Sequence, residues 1–256
     1  NLGLWCNSES AWINYTNWQV CIDNSKKYKF DPKKPYFATI GIDLSKRNDL
    51  TGAVLCLYQD GKYFLESKSY FPKDSMRERI THEGEMWQSW VDKGLLTATQ
   101  GKTIDYQCLY KDIRDWSEKY TISEILYDPY SSNELINELS DSFEMIEVQQ
   151  SLRYLSPMTK AFESCVLNGD IVCDNPVLSW MVSNATVYSD ANGNIKVIKN
   201  TNEKGGNNSR RIDSLICAIM CVGRTESLRE NGELIFTDPN KTEESLENFL
   251  SSLKWE

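Results

Sequence analysis

The sequence predicts a mixed α/β fold: three antiparallel strands and then parallel strands in one sheet, with helices on both faces. Three observations predict it. Apolar runs over residues 36–42, 51–58 and 62–71 follow one another through short connections, one of them the tight hairpin pair Asp60-Gly61. Later apolar runs over 122–127 and 143–149 alternate with helical patterns, and such crossovers make strands parallel. The helical segments carry apolar stripes, so each needs a surface to cover.

Each element follows in order. Residues 1–35 hold Trp5, Trp12 and Trp18 among small polar residues, then two lysine-rich patches, and read as a linker or packing arm. The domain proper is expected over 36–225. The run 36–42 reads as a buried strand ending at Asp43. After the third strand, a long helix is expected over 76–96, with Ile80, Trp87, Trp90, Val91 and Leu95 on its apolar face. A second helix over 106–119 buries Leu109, Ile113 and Trp116. The strand 122–127 ends at Asp128, and Pro129 stops it. A helix over 132–139, the strand 143–149, a helix over 156–167 and a short helix opened by Asn175-Pro176 follow. Residues 185–189 and 195–199 flank Asp190-Ala-Asn-Gly-Asn194 as a hairpin, and 200–208 form a polar, Gly-rich loop. An amphipathic helix over 210–224 closes the domain. An acidic tail covers 226–256.

Composition bounds the chemistry. The 256 residues are 40% hydrophobic and 25% charged, enough for one sizeable core. No run approaches the roughly 20 apolar residues of a membrane span, and the N-terminus does not read as a signal peptide. Eight cysteines include no C-x-x-C pair, and they read as small core residues in a reducing cytosol. The only histidine, His82, falls in a polar helical stretch, which argues against a zinc site and a Ser-His-Asp triad. Net charge of −9 argues against a protein that coats DNA. Its distribution is uneven. Lys196, Lys199, Lys204, Arg210 and Arg211 face only Glu203 over residues 194–211, whereas eight acids face three bases over 226–256. The basic stretch suits local contact with DNA, and the tail suits a partner contact or a solvated terminus.

Three aspartates carry the candidate chemistry. Asp43 and Asp128 each follow an apolar strand, at the carboxyl edge where open sheets place ligands. Asp213 begins an apolar helix able to cross that edge. Three carboxylates in one small site need cations to stay ionised. Hard oxygen donors select Mg²⁺ or Mn²⁺, and two such ions are the standard means of hydrolysing a phosphodiester. Taken singly, Asp43 also fits a turn cap, Asp128 a turn before proline, and Asp213 an acid at a helix N-terminus.

The ordered motifs resemble the nuclease domain of the large terminase subunit of tailed bacteriophages. The resemblance rests on Gly41-Ile-Asp43-Leu-Ser, Asp49-Leu-Thr51-Gly-Ala, Leu126-Tyr-Asp128-Pro and Arg211-Ile-Asp213. It also rests on Leu155-Ser-Pro-Met-Thr-Lys160, Asn175-Pro-Val-Leu-Ser-Trp180, Asn184 and Asp190-Ala-Asn-Gly-Asn-Ile-Lys196. It covers residues 1–225 and implies a ribonuclease H-like fold and metal-dependent cleavage of double-stranded concatemeric viral DNA in the host bacterial cytoplasm. It implies a portal ring and a small terminase subunit as partners, and Asp43, Asp128 and Asp213 as metal ligands. Lys199 becomes the best basic residue near the site, on a hairpin beside the DNA, with a solvated hairpin lysine as its alternative. Residues 96–103 have Leu96 where a phosphate-binding loop needs glycine, so they read as an inter-helix loop and the ATPase domain is expected to lie outside this chain.

Two other readings remain open at the level of sequence. An actin-like phosphotransferase also presents Gly-x-Asp after its first strand, but Gly205-Gly206 lacks the Asp-x-Gly such enzymes need. A catalytically silent docking domain would use the acidic tail alone.

Overall fold

β-Branched and aromatic residues dominate the first three runs, and all three become strands. They are β1 (Phe37–Asp43), β2 (Thr51–Gln59) and β3 (Lys62–Pro72), paired antiparallel in sequence order. The β2–β3 turn sets Asp60 and Gly61 at φ 50° and 76°, a left-handed pair that glycine and aspartate tolerate best. The computed structural model describes residues 11–44, 50–75, 85–129, 133–200 and 210–240.

Among these residues one sheet of seven strands runs β4-β3-β2-β1-β5-β6, with β7 also paired to β3. The strands β5 (Glu124–Tyr127) and β6 (Met145–Glu147) lie parallel to β1 and to each other. The short strands β4 (Thr97–Thr99) and β7 (Ile171–Val172) lie parallel to β3. A separate hairpin joins β8 (Ala185–Ser189) to β9 (Ile195–Lys199).

Alternation along the strands divides the core. One face carries Ala38, Ile40, Ile42, Ala53 and Leu55 against α3 (Tyr106–Ser117) and α4 (Asn133–Ser140). The other carries Phe37, Val54, Cys56 and Leu126 against α7 (Asp213–Glu230). Helix α7 is apolar on nearly every side, because α5 (Leu152–Leu167) covers its outer surface. A Cβ on Gly223 would lie 2.4 Å from Met158 Cβ, so only glycine lets these two helices approach so closely.

Four details depart from the expectations. The helix expected to reach residue 96 ends four residues earlier, at Asp92. Its described part is α2 (Met86–Asp92), followed by Gly94 at φ 68° and then by β4, because edge pairing with β3 captures the chain. The part of that helix over 76–84, including His82, lies outside the described residues. Within residues 1–35, α1 (Tyr15–Lys27) is an integral helix. Trp18 is fully buried and donates its indole N–H to Ser179 Oγ at 2.9 Å, and Asn24 Nδ2 donates to the carbonyls of Gly169 and Ile171. At the other end, α7 runs past residue 225 to Glu230, and the chain returns to the sheet where Tyr36 and Thr237 exchange backbone hydrogen bonds of 3.0 and 2.8 Å. Finally, α5 begins at Leu152 despite Pro157, earlier than the residue-156 start expected before a proline. Among the described residues no helix is long and apolar enough to cross a membrane.

Candidate active site

Parallel pairing of β1 with β5 brings two of the three aspartates to one edge. Ile42 pairs with Tyr127, so Asp43 and Asp128 are the next residues on adjacent strands. Both continue the rows that face α7. Gly41 touches Cys217 of that helix, and Glu124 pairs with Arg224 of the same helix through hydrogen bonds of 2.8 and 2.7 Å. Side chains alternate along a strand, so Asp43 follows Gly41, and Asp128 follows Glu124 and Leu126. Both aspartates are half-buried.

Asp213 arrives from above as the first residue of α7, where the helix dipole favours an acid. Two glycines bring it there. A Cβ on Gly52, the cross-strand partner of Asp43, would lie 2.7 Å from the backbone nitrogen of Ser214. A Cβ on Gly41 would lie 2.5 Å from the carbonyl oxygen of Cys217. The helix is then fastened laterally. Ser214 Oγ meets Ser69 Oγ at 2.8 Å and donates to Lys68 O at 3.3 Å, and Cys217 Sγ donates to Gly52 O at 3.4 Å. Burial pushes the Cys217 thiol well above its ordinary pKa, and the charges of Asp43 and Asp213 push it further in the same direction. Asp213 itself is only 7% exposed, a depth at which a carboxylate stays charged only beside compensating groups.

The donor chemistry suits a hard divalent cation. The side-chain positions do not close around one, since among the described residues no group of three His, Cys, Asp or Glu side chains is gathered to hold a metal ion. What the structure supplies is a shared edge and a shared facing direction.

The basic residues occupy different positions. Lys196 lies on β9 opposite Tyr188, and its ammonium donates to Gln150 O in the loop after β6. Lys199, at the end of β9, and Arg210 are half-buried, whereas Arg211 is buried. Lys204 lies outside the described residues. The hairpin turn is set by Asp190, whose carboxylate accepts from Asn192 N, Asn194 N and Asn194 Nδ2 at 2.8–2.9 Å. Sequence reasoning did not single out Ser69, Ser214, Gly52 or Cys217 as parts of the site. A small residue at position 52 beside a strand-end aspartate was the available signal, but its contact lies far along the chain.

Three antiparallel strands, two parallel strands added at β1 and a helix packed over the carboxyl edge define a ribonuclease H-like domain. The sequence matches the family model of the terminase large subunit, endonuclease domain, along most of the chain. The chain belongs to that family, whose profile matches residues 1–228.

Relatives agree with this placement. Protein YmfN of Escherichia coli (strain K12) is 28% identical over 236 residues, which cover 88% of this chain and 50% of that protein. The large terminase subunit of Enterobacteria phage HK97 is 28% identical over 239 residues, 91% of this chain and 44% of that protein. The crystal structure of the HK97 bacteriophage large terminase superposes with a TM-score of 0.69 at 26% identity, covering 84% of this chain and 43% of that one. The chain thus spans about half the length of the curated relatives it matches.

Proposed function

We propose that this domain is a Mg²⁺- or Mn²⁺-dependent endonuclease that cuts double-stranded viral DNA concatemers during genome packaging. Asp43, Asp128 and Asp213 would hold two divalent ions. One observation carries the reading: two strand-end aspartates, adjacent in register, face the helix that begins with the third. Bound ions would supply an activated water and stabilise the leaving oxygen of the phosphodiester.

The chain's own residues perform the positioning. Strands β1 and β5 hold two carboxylates on rigid backbone, and the glycine contacts seat Asp213 above them. The basic stretch Lys196, Lys199, Lys204, Arg210 and Arg211 is the proposed DNA side of the site. The proposed setting is the host bacterial cytoplasm, with a portal ring, a small terminase subunit and an ATPase domain of the full-length subunit as partners. Family membership favours this reading over a silent docking domain.

The test is plasmid nicking by the purified chain in Mn²⁺. Nicking is expected from the wild type and is expected to fall at least 100-fold in each of Asp43→Ala, Asp128→Ala and Asp213→Ala, by roughly the scale set for lost metal ligands and their supports. Equal nicking by wild type and all three variants would sink the proposal.

A further inference from the structure

Asn184 is buried between two parts of the site and bonds to both. It ends α6 (Pro176–Ser183), and its backbone oxygen accepts from Asn200 N at 2.8 Å, directly after β9. Its side chain turns the other way. Asn184 Nδ2 donates to Arg211 O at 3.1 Å, two residues before Asp213. The residue is 7% exposed, so neither bond has ready replacement by water.

The hairpin is fastened at two further points, to helix α5 and to the loop after β6. Ile195 N donates to Ser156 Oγ at 3.1 Å, and the Lys196 ammonium donates to Gln150 O, a few residues beyond the strand beside β5. The hairpin, α5, the loop after β6 and the entry to α7 therefore form one hydrogen-bonded frame, with Asn184 as the corner that bonds to Arg211, two residues before Asp213.

We infer that Asn184 is a positioning residue for Asp213, and that it ties the placement of this carboxylate to the seating of the β8–β9 hairpin. The inference rests on the nuclease reading of Asp213. Alanine is unsuited to the role because it has no donor. Aspartate keeps the shape and the backbone bond to Asn200, but its carboxylate repels the Arg211 carbonyl.

The experiment compares wild type, Asn184→Ala, Asn184→Asp and Asp213→Asn, each as the 256-residue chain. Cleavage is measured as kcat and KM for linear duplex DNA, Mn²⁺ binding by calorimetry, duplex binding in EDTA by anisotropy, and folding by thermal melting. In the Asn184 variants kcat and Mn²⁺ affinity are expected to fall about 10-fold, the lower end of losses seen when a ligand's support is removed. KM and duplex binding in EDTA are expected to stay at wild-type values. Asn184→Asp is the decisive variant if Asn184→Ala fails to fold. Unchanged kcat and Mn²⁺ affinity in a folded Asn184→Asp protein, or a change in KM alone, overturns the inference. Undiminished cleavage in Asp213→Asn overturns the nuclease reading beneath it instead.

Discussion

At the scale of single residues, glycine decides where α7 can sit. Gly52 lies against backbone atoms of Ser214, which cannot swing aside as a flexible side chain would. Gly52→Ala should therefore displace the start of α7 and carry Asp213 with it. The expected cost is about 1–3 kcal/mol in urea unfolding, the usual range for overpacking a tight contact, together with slower DNA cleavage. Unchanged stability and cleavage would show that the helix has room to spare. The same scale explains what the sequence could reveal. Asp43 and Asp128 were legible because each ends a continuous apolar run, a purely local pattern. Gly52, Ser69 and Ser214 were not, because their roles lie in contacts between residues 145 or more positions apart in the chain.

Among the elements, the amphipathic and apolar runs announced most strands and helices, while their ends moved. The expected helix over 76–96 failed at its C-terminal end because Thr97–Thr99 found an edge of β3, and edge pairing outweighed helical periodicity. Strand β7 was invisible for a related reason, since two residues leave no period to read. The arm at 1–35 looked polar because α1 buries only one narrow stripe, Trp18, Cys21 and Asn24. Helix α7 also supplies a pH-dependent tie. Burial opposes the charge of Glu226, yet hydrogen bonds from Arg229 and Tyr63 outweigh it and hold its carboxyl below the ordinary value of 4.5. A carboxyl depressed in the folded state adds stability above its unfolded pKa and loses it as pH falls through the folded value. Arg229→Gln should thus be less stable than wild type at pH 7, with the gap narrowing below about pH 4.5 as both proteins protonate Glu226. Denaturant titrations across pH 3–7 check this, and a gap that stays constant would remove Glu226 as its source.

For the whole molecule, charge and affinity pull in opposite directions. A chain of net charge −9 repels DNA overall, so on the proposed reading attraction would come from the local basic stretch over residues 194–211. Binding and cleavage of duplex DNA are expected to fall steeply between 50 and 200 mM salt, as for proteins that release several counterions. A flat response would place the DNA contacts elsewhere. The mixed sheet with two covered faces was legible from strand order alone, because short links force antiparallel neighbours and helical crossovers force parallel ones. The convergence of Asp213 on that sheet was not, since it depends on how deeply α7 sinks onto β1 and β2.

That long-range closure has a temporal consequence. Asp43 and Asp128 sit on strands whose pairing needs only the first half of the chain, but Asp213 docks last in sequence order, through Ser214 against Ser69. Chains emerge from the ribosome N-terminus first, and distant pairings are slow to form. A nascent or truncated chain that stops short of α7 lacks the third aspartate. On the proposed reading, the competence to cut therefore waits on the docking of α7, and a chain without that helix would lack the full set of proposed ligands.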